Sequence, residues 1–191
     1  PIDVEKYKKL NVQICDFKLK YEKNFVHVSN FRPVKNTPFI IKAFAKVVKE
    51  YPDVGLIMVG EGPERKISED LAYKLGIKDH VMFQGVRVSI VPIYNCATAL
   101  ISASSNESFG LTLAEAMACE TPVIAPNVGG IPEVVNHGKT GFLYPANDAT
   151  KLVEYMLQLL EDNKLKENMG QKARKKVVEN FASEKIADKY L

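Results

Sequence analysis

Tryptophan is absent from this chain, and histidine and cysteine occur three times each. His27, His80 and His137 lie far apart, and no two have metal-ligand spacing. There is no HExxH, no paired cysteine motif and no acidic DxD, so no metal site is expected and the histidines read as structural. There is no GxSxG and no P-loop, which sets aside the common hydrolase nucleophile and the Walker-type phosphate cradle. Cys15, Cys96 and Cys119 are an odd set without CxxC spacing. Cys96 and Cys119 stand in apolar contexts and read as small core residues, which fits a reduced cytoplasm. No apolar run approaches the roughly 20 residues of a membrane span, so no integral membrane segment is expected. The opening PIDVEKYKKL lacks the basic-then-apolar pattern of a signal peptide, and Asn106-Glu107-Ser108 then matches a glycosylation acceptor by chance. A net charge of +3 permits a small anionic ligand and does not call for nucleic acid.

What the chain does have is alternation. FVHVS (25–29), VGLIMVG (54–60), HVMFQG (80–85), ALISAS (99–104), TPVIAP (121–126) and GFLYP (141–145) read as strands. Helical stretches separate them. In the first, Thr37 is the expected N-cap, Pro38 takes the first helical position, and Ile40, Ile41, Phe44, Val47 and Val48 recur at helical spacing. Two helices close the chain, which stops at FASEKIADKYL with no stop signal. The expected fold is α/β, a doubly wound Rossmann-like parallel sheet of about six strands with helices on both faces. Residues 1–24 are polar and lysine-rich and read as a linker or peripheral segment, leaving 25–191 as the domain; both ends look cut from something longer.

In such a fold, ligands sit at the C-terminal ends of the strands, so the strand-to-helix loops matter. Ser29–Thr37 holds Arg32 and Lys35 just before a helix start. Two cations beside a helix dipole suit a phosphate or diphosphate, and two solvated surface cations would look the same. Gly60-Glu61-Gly62-Pro63 has two glycines but no third, so the dinucleotide fingerprint fails. Gly85-Val86-Arg87 compels no role by itself. Ser104–Gly110 opens the apolar helix LTLAEAMAC, where the N–H groups of Phe109, Gly110 and Leu111 suit oxyanions or sugar hydroxyls. Glu115 is the one charge in that helix. Buried, it needs donors, because an unpaired carboxylate costs several kcal/mol. A ribose diol would supply two hydroxyls; a local Lys or Arg, or solvent, would also serve.

ESFGLTLAE, with Glu107 and Glu115 eight apart, resembles the E-x7-E motif of the group 1 retaining glycosyltransferases (family 4, GT-B fold), as does AMACETPVIAPNVGGIPEVVNHGKTGFLYPANDA after it. SNFRPVK falls where that family binds phosphate, and VGEGP matches its next loop. The resemblance implies one half of a two-domain enzyme, the half that binds a UDP-sugar donor, with no cofactor. Lys35 matches the pyrophosphate lysine. Asn30 stands where the family usually has an arginine, and Arg32 is the substitute. Glu115 matches the ribose carboxylate and Glu107 the carboxylate near the donor sugar. Ser108, Phe109, Gly110 and Leu111 match sugar and phosphate contacts, Gly62 lies in the second matching loop, and Val86 or Arg87 falls where main chain reads uracil. The finest form of the likeness, in SNFRPVK and ESFGL, implies transfer of GlcNAc from UDP-GlcNAc to a small acceptor such as malate. The implied partner is the chain's own N-terminal acceptor domain, without which transfer is not expected. A nucleotide-sugar epimerase and a non-catalytic nucleotide-sugar binding module are the alternatives.

Overall fold

The computed structural model describes residues 1–11 and 19–183. Cys15 and the end of the closing stretch lie outside them. In chain order the elements are β1 (Lys23–Val28), α1 (Thr37–Glu50), β2 (Val54–Val59), α2 (Arg65–Lys74), β3 (Val81–Gly85), α3 (Val91–Cys96), β4 (Ala99–Ile101), α4 (Leu111–Ala118), β5 (Val123–Pro126), α5 (Ile131–Val134), β6 (Gly141–Tyr144), α6 (Ala149–Glu161) and α7 (Asn163–Asn180). The strands form one sheet in the order β3-β2-β1-β4-β5-β6, and every neighbouring pair is parallel.

Alternate strand residues feed two cores. Phe25, Leu56 and Met58 join Ile40, Ile41 and Phe44 of α1 and Leu152 and Met156 of α6 on one face. Val26, Ile57 and Val59 join Tyr94 of α3, Met117 of α4, Ile131 of α5 and Val177 of α7 on the other. Both faces of β2 are covered, which is why VGLIMV is apolar without alternation and buried at every position. Asp148 and Asp162 cap α6 and α7 by accepting from the amides of Lys151 (3.0 Å) and Leu165 (2.9 Å).

Two local expectations are corrected, at Thr37 and at Cys96. Thr37 is not an N-cap: Asn36 occupies that position in left-handed geometry. The Thr37 N–H is instead capped from α2's side, donating to Glu64 Oε2 at 3.1 Å, and its buried hydroxyl meets Ser68 Oγ at 2.9 Å. Cys96 is half-buried and disulfide-bonded, so it is not a reduced core residue, whereas Cys119 is buried and free. The opening segment is docked. Ile2 is buried, and its N–H donates to Phe181 O at 2.7 Å while its carbonyl accepts from Ser183 N at 2.9 Å. Arg174 of α7 donates to the carbonyls of Tyr7 (3.0 Å), Val4 (3.4 Å) and Ala118. A lone isoleucine among polar residues has no periodicity to announce its burial.

The strand order turns back on itself between β1 and β4. Their ladder pairs only Phe25 with Ala99 and Val26 with Leu100, after which the strands part. That is the switch point where this architecture opens a crevice, with the β1–α1 and β4–α4 loops on its two sides.

Candidate functional site

The β1–α1 loop is held in an unusual shape. Phe31 and Asn36 have φ of 41° and 51°, a region that bulky residues avoid. Phe31 is nonetheless fully buried, and its carbonyl accepts from Glu64 N at 2.9 Å. The glycines of VGEGP make this possible: a Cβ on Gly60 would lie 1.7 Å from Ser29 O, and one on Gly62 2.0 Å from Asn30 O. The two loops therefore lie backbone to backbone, and a short 3-10 turn, Pro33–Lys35, ends on the candidate lysine.

Across the crevice, the β4–α4 loop is fixed by the β5–α5 turn at 126–130. Gly130 N donates to Glu107 O at 2.9 Å. A Cβ on Gly129 would meet Glu107 O at 2.1 Å, and one on Gly130 would meet Ser108 O at 2.0 Å. Two adjacent glycines just past a strand were the available signal. So placed, Glu107 Oε2 receives Lys35 Nζ at 2.6 Å. Their side chains are 22% and 23% exposed, hidden enough to be ordered and open enough to meet a ligand.

Gly110 precedes α4 and no side chain caps the helix. Ala114 N is the first amide to bond back, to Gly110 O at 3.1 Å. The N–H groups of Leu111, Thr112 and Leu113 thus find no acceptor within their own helix, and they face the crevice with the dipole's positive end. Phe109 packs edge-on against Phe181 at 5.4 Å, Ser108 is exposed, and Leu111 is half exposed at 52%.

One turn into α4, Glu115 is half-buried. Its partners are neither Lys nor Arg. Tyr94 Oη donates to its Oε2 at 3.1 Å, and the Tyr7 hydroxyl of the opening segment lies close enough to feel its charge. Burial first and the carboxylate second push the Tyr7 hydroxyl up to about 12, and the same causes raise Tyr94 well above the usual tyrosine range. Both phenols therefore stay protonated donors. One bonded hydroxyl leaves a carboxylate, with about four lone-pair sites, room for a further pair of donors.

His27 lies beneath Lys35 and Glu107 in the same small cavity, with Ser29, Ser104 and Thr112. It is buried, and burial pulls its pKa down to about 4. Other expected residues lie apart from the Lys35–Glu107 pair. Arg32 is exposed and makes no side-chain hydrogen bond or ion pair among the described residues, so it does not join Lys35. Asn30 meets Gly62 through its backbone. Val86 is 77% exposed, and Arg87 turns back onto Gln84 of its own strand. Among the described residues, no three His, Cys, Asp or Glu side chains gather as a metal would require. A wider groove between α7 and the α5–β6 turn has lysines offset by Glu133 and Glu179, with Lys176 spent on Glu133 O and Asn136 Oδ1 at 2.7 Å each.

In this doubly wound domain a cation and a carboxylate face each other at the switch point, beside an uncapped helix start, an arrangement that suits an anionic, hydroxyl-rich ligand. Residues 16–176 match the family described as glycosyl transferases group 1, and the chain belongs to that family. It is 44% identical over 169 residues to the N-acetyl-alpha-D-glucosaminyl L-malate synthase of Bacillus anthracis, covering 88% of this chain and 44% of the synthase. Anabaena HepE, solved in complex with UDP and glucose, superposes with a TM-score of 0.89 at 26% identity, over 99% of this chain and 54% of that one. The C-terminal domain of a group 1 glycosyl transferase from Francisella tularensis matches over 96% of this chain and its own full length, with a TM-score of 0.87 at 23% identity, which speaks to the fold. No helix among the described residues is long and apolar enough to cross a membrane. This chain thus spans less than half of the curated synthase it matches.

Proposed function

We propose that this chain is the donor-binding half of a retaining glycosyltransferase that takes a UDP-sugar. The observation that carries the reading is the 2.6 Å pair of Lys35 and Glu107, set across the switch-point crevice at the open start of α4. An ammonium has three N–H donors; one serves Glu107 and two remain for diphosphate oxygens. As the sugar–phosphate bond breaks, charge grows on the departing diphosphate. Lys35 and the free amides of Leu111, Thr112 and Leu113 are aimed where that charge develops. Glu107, oriented by Lys35, faces the sugar, and Glu115 takes the ribose hydroxyls beside Tyr94 and Tyr7. HepE's bound UDP and glucose support the ligand class, and the malate synthase likeness supports GlcNAc as the sugar and malate as the acceptor. An epimerase would call for a proton-transferring group at the sugar. His27 does not fit that task, because it is buried and both ring nitrogens are engaged.

Calorimetric titration of UDP and UDP-GlcNAc, without added metal, tests the reading. Lys35→Ala and Glu115→Ala each remove a charged hydrogen-bond partner and are expected to weaken binding roughly 10- to 100-fold. Equal binding by the wild type and both variants would overturn the placement of phosphate and ribose.

A further inference from the structure

His27 remains unused by this reading. Its surroundings fix its chemistry. Ile101 O, 2.8 Å from Nδ1, only accepts, so Nδ1 carries a proton. The ring is neutral, so Nε2 is an acceptor and takes the hydroxyl proton of Ser29, with Oγ at 2.7 Å. Ser29 Oγ then has lone pairs to offer, and it accepts from Phe31 N at 3.2 Å. The directions of these bonds follow from one carbonyl and a neutral ring.

The location matters as much as the polarity. The β1–β4 ladder ends at Val26 and Leu100. The next carbonyl of β4 is Ile101 O, and His27 reaches it with a side chain where the backbones have separated. The imidazole thus ties the two strands together at the mouth of the crevice. It also grips, through Ser29, the residue that carries the loop's strained φ. Phe31 stacks near the ring, with centroids 6.0 Å apart and planes 29° apart. A histidine serving only as core filling would have no reason to connect β4 with the loop that carries Lys35.

We propose that His27 is a positioning residue for the phosphate-binding loop: acting through Ser29 and Phe31, it sets the loop shape that brings Lys35 to the donor diphosphate. This rests on the donor-site reading above. It gives an otherwise structural histidine a role in affinity for the phosphate end of the ligand.

The test is NMR titration of UDP, which reads dissociation constants into the millimolar range, with thermal melts alongside. Ser29→Ala removes the relay and leaves the core intact; His27→Leu removes both ring bonds at similar volume; His27→Gln restores a side-chain acceptor. UDP affinity is expected to fall roughly tenfold in Ser29→Ala and His27→Leu, to recover in part in His27→Gln, and to fall no further when Ser29→Ala is added to Lys35→Ala. A purely structural role would lower the melting temperature and leave the Ser29 and Lys35 effects additive. Wild-type affinity in folded Ser29→Ala, or full additivity with Lys35→Ala, overturns the positioning role alone. Absence of UDP binding by the wild type overturns the donor-site reading and the positioning role with it.

Discussion

A carboxylate on an apolar helix is tolerated only when its oxygens find donors. Glu115 finds Tyr94 of α3, with the Tyr7 hydroxyl of the opening segment close by. It is therefore a junction between three parts of the chain as well as a ribose candidate. His27 poses the converse problem, a base that must stay uncharged. Its folded pKa of about 4 lies below the ordinary 6.5, so the unfolded chain binds a proton in that window and the folded chain does not. The stabilisation is complete above about 6.5 and is lost as pH falls toward 4, amounting to about 3 kcal/mol at 1.36 kcal/mol per unit. Melts between pH 7 and 4 should show this loss in the wild type and a shallower slope in His27→Leu. Parallel slopes would mean that His27 is not held neutral.

At the scale of elements, the two glycines of the β5–α5 turn decide where Glu107 sits. Gly130→Ala places a methyl 2.0 Å from Ser108 O, a backbone atom that cannot swing aside. Gly138→Ala, at φ 71°, meets nothing within 4 Å. The first should cost about 1–3 kcal/mol and displace the Glu107 loop, while the second costs about 1 kcal/mol of backbone strain alone. Melting temperatures and UDP titration of both would show it: only Gly130→Ala should weaken UDP beyond its effect on stability. Signals of this kind separate what can be read from sequence from what cannot. The strands and helices were legible because Ile40, Ile41 and Phe44, or the run of β2, state their burial within a few residues. The matching motif placed Lys35, Glu107 and Glu115. The capping of α1 by Glu64, the relay from His27 and the idle Arg32 were not legible. Each depends on which loop lies against which, and no local pattern encodes that.

At the scale of the molecule, the Lys35–Glu107 crevice is lined from the end of β1 and the β1–α1 loop on one side and from the end of β4 through the start of α4 on the other. Nothing among the described residues supplies a second wall for an acceptor. The chain alone should bind UDP-GlcNAc and not turn it over onto malate; steady release of UDP in a coupled assay with both substrates would contradict this. The opening segment, strapped by Arg174 across α7 and α4, runs close to Glu115. Any pull on that segment is thus felt near Glu115.

Lys35 and Glu107 are 72 positions apart and meet only after β1 and β4 have paired. Local contacts such as those within α1 form early and cheaply, whereas a contact this distant in the chain must wait for long loops to close. The crevice is therefore expected to assemble late, after the strands that carry it have paired. A ligand that bridges its two loops grips a late event in folding, and mass action then spreads that grip over the entire sheet. At a hundred times its dissociation constant it would add about 2.7 kcal/mol to global stability. For such a ligand, bridging the two loops and finishing the fold are the same act.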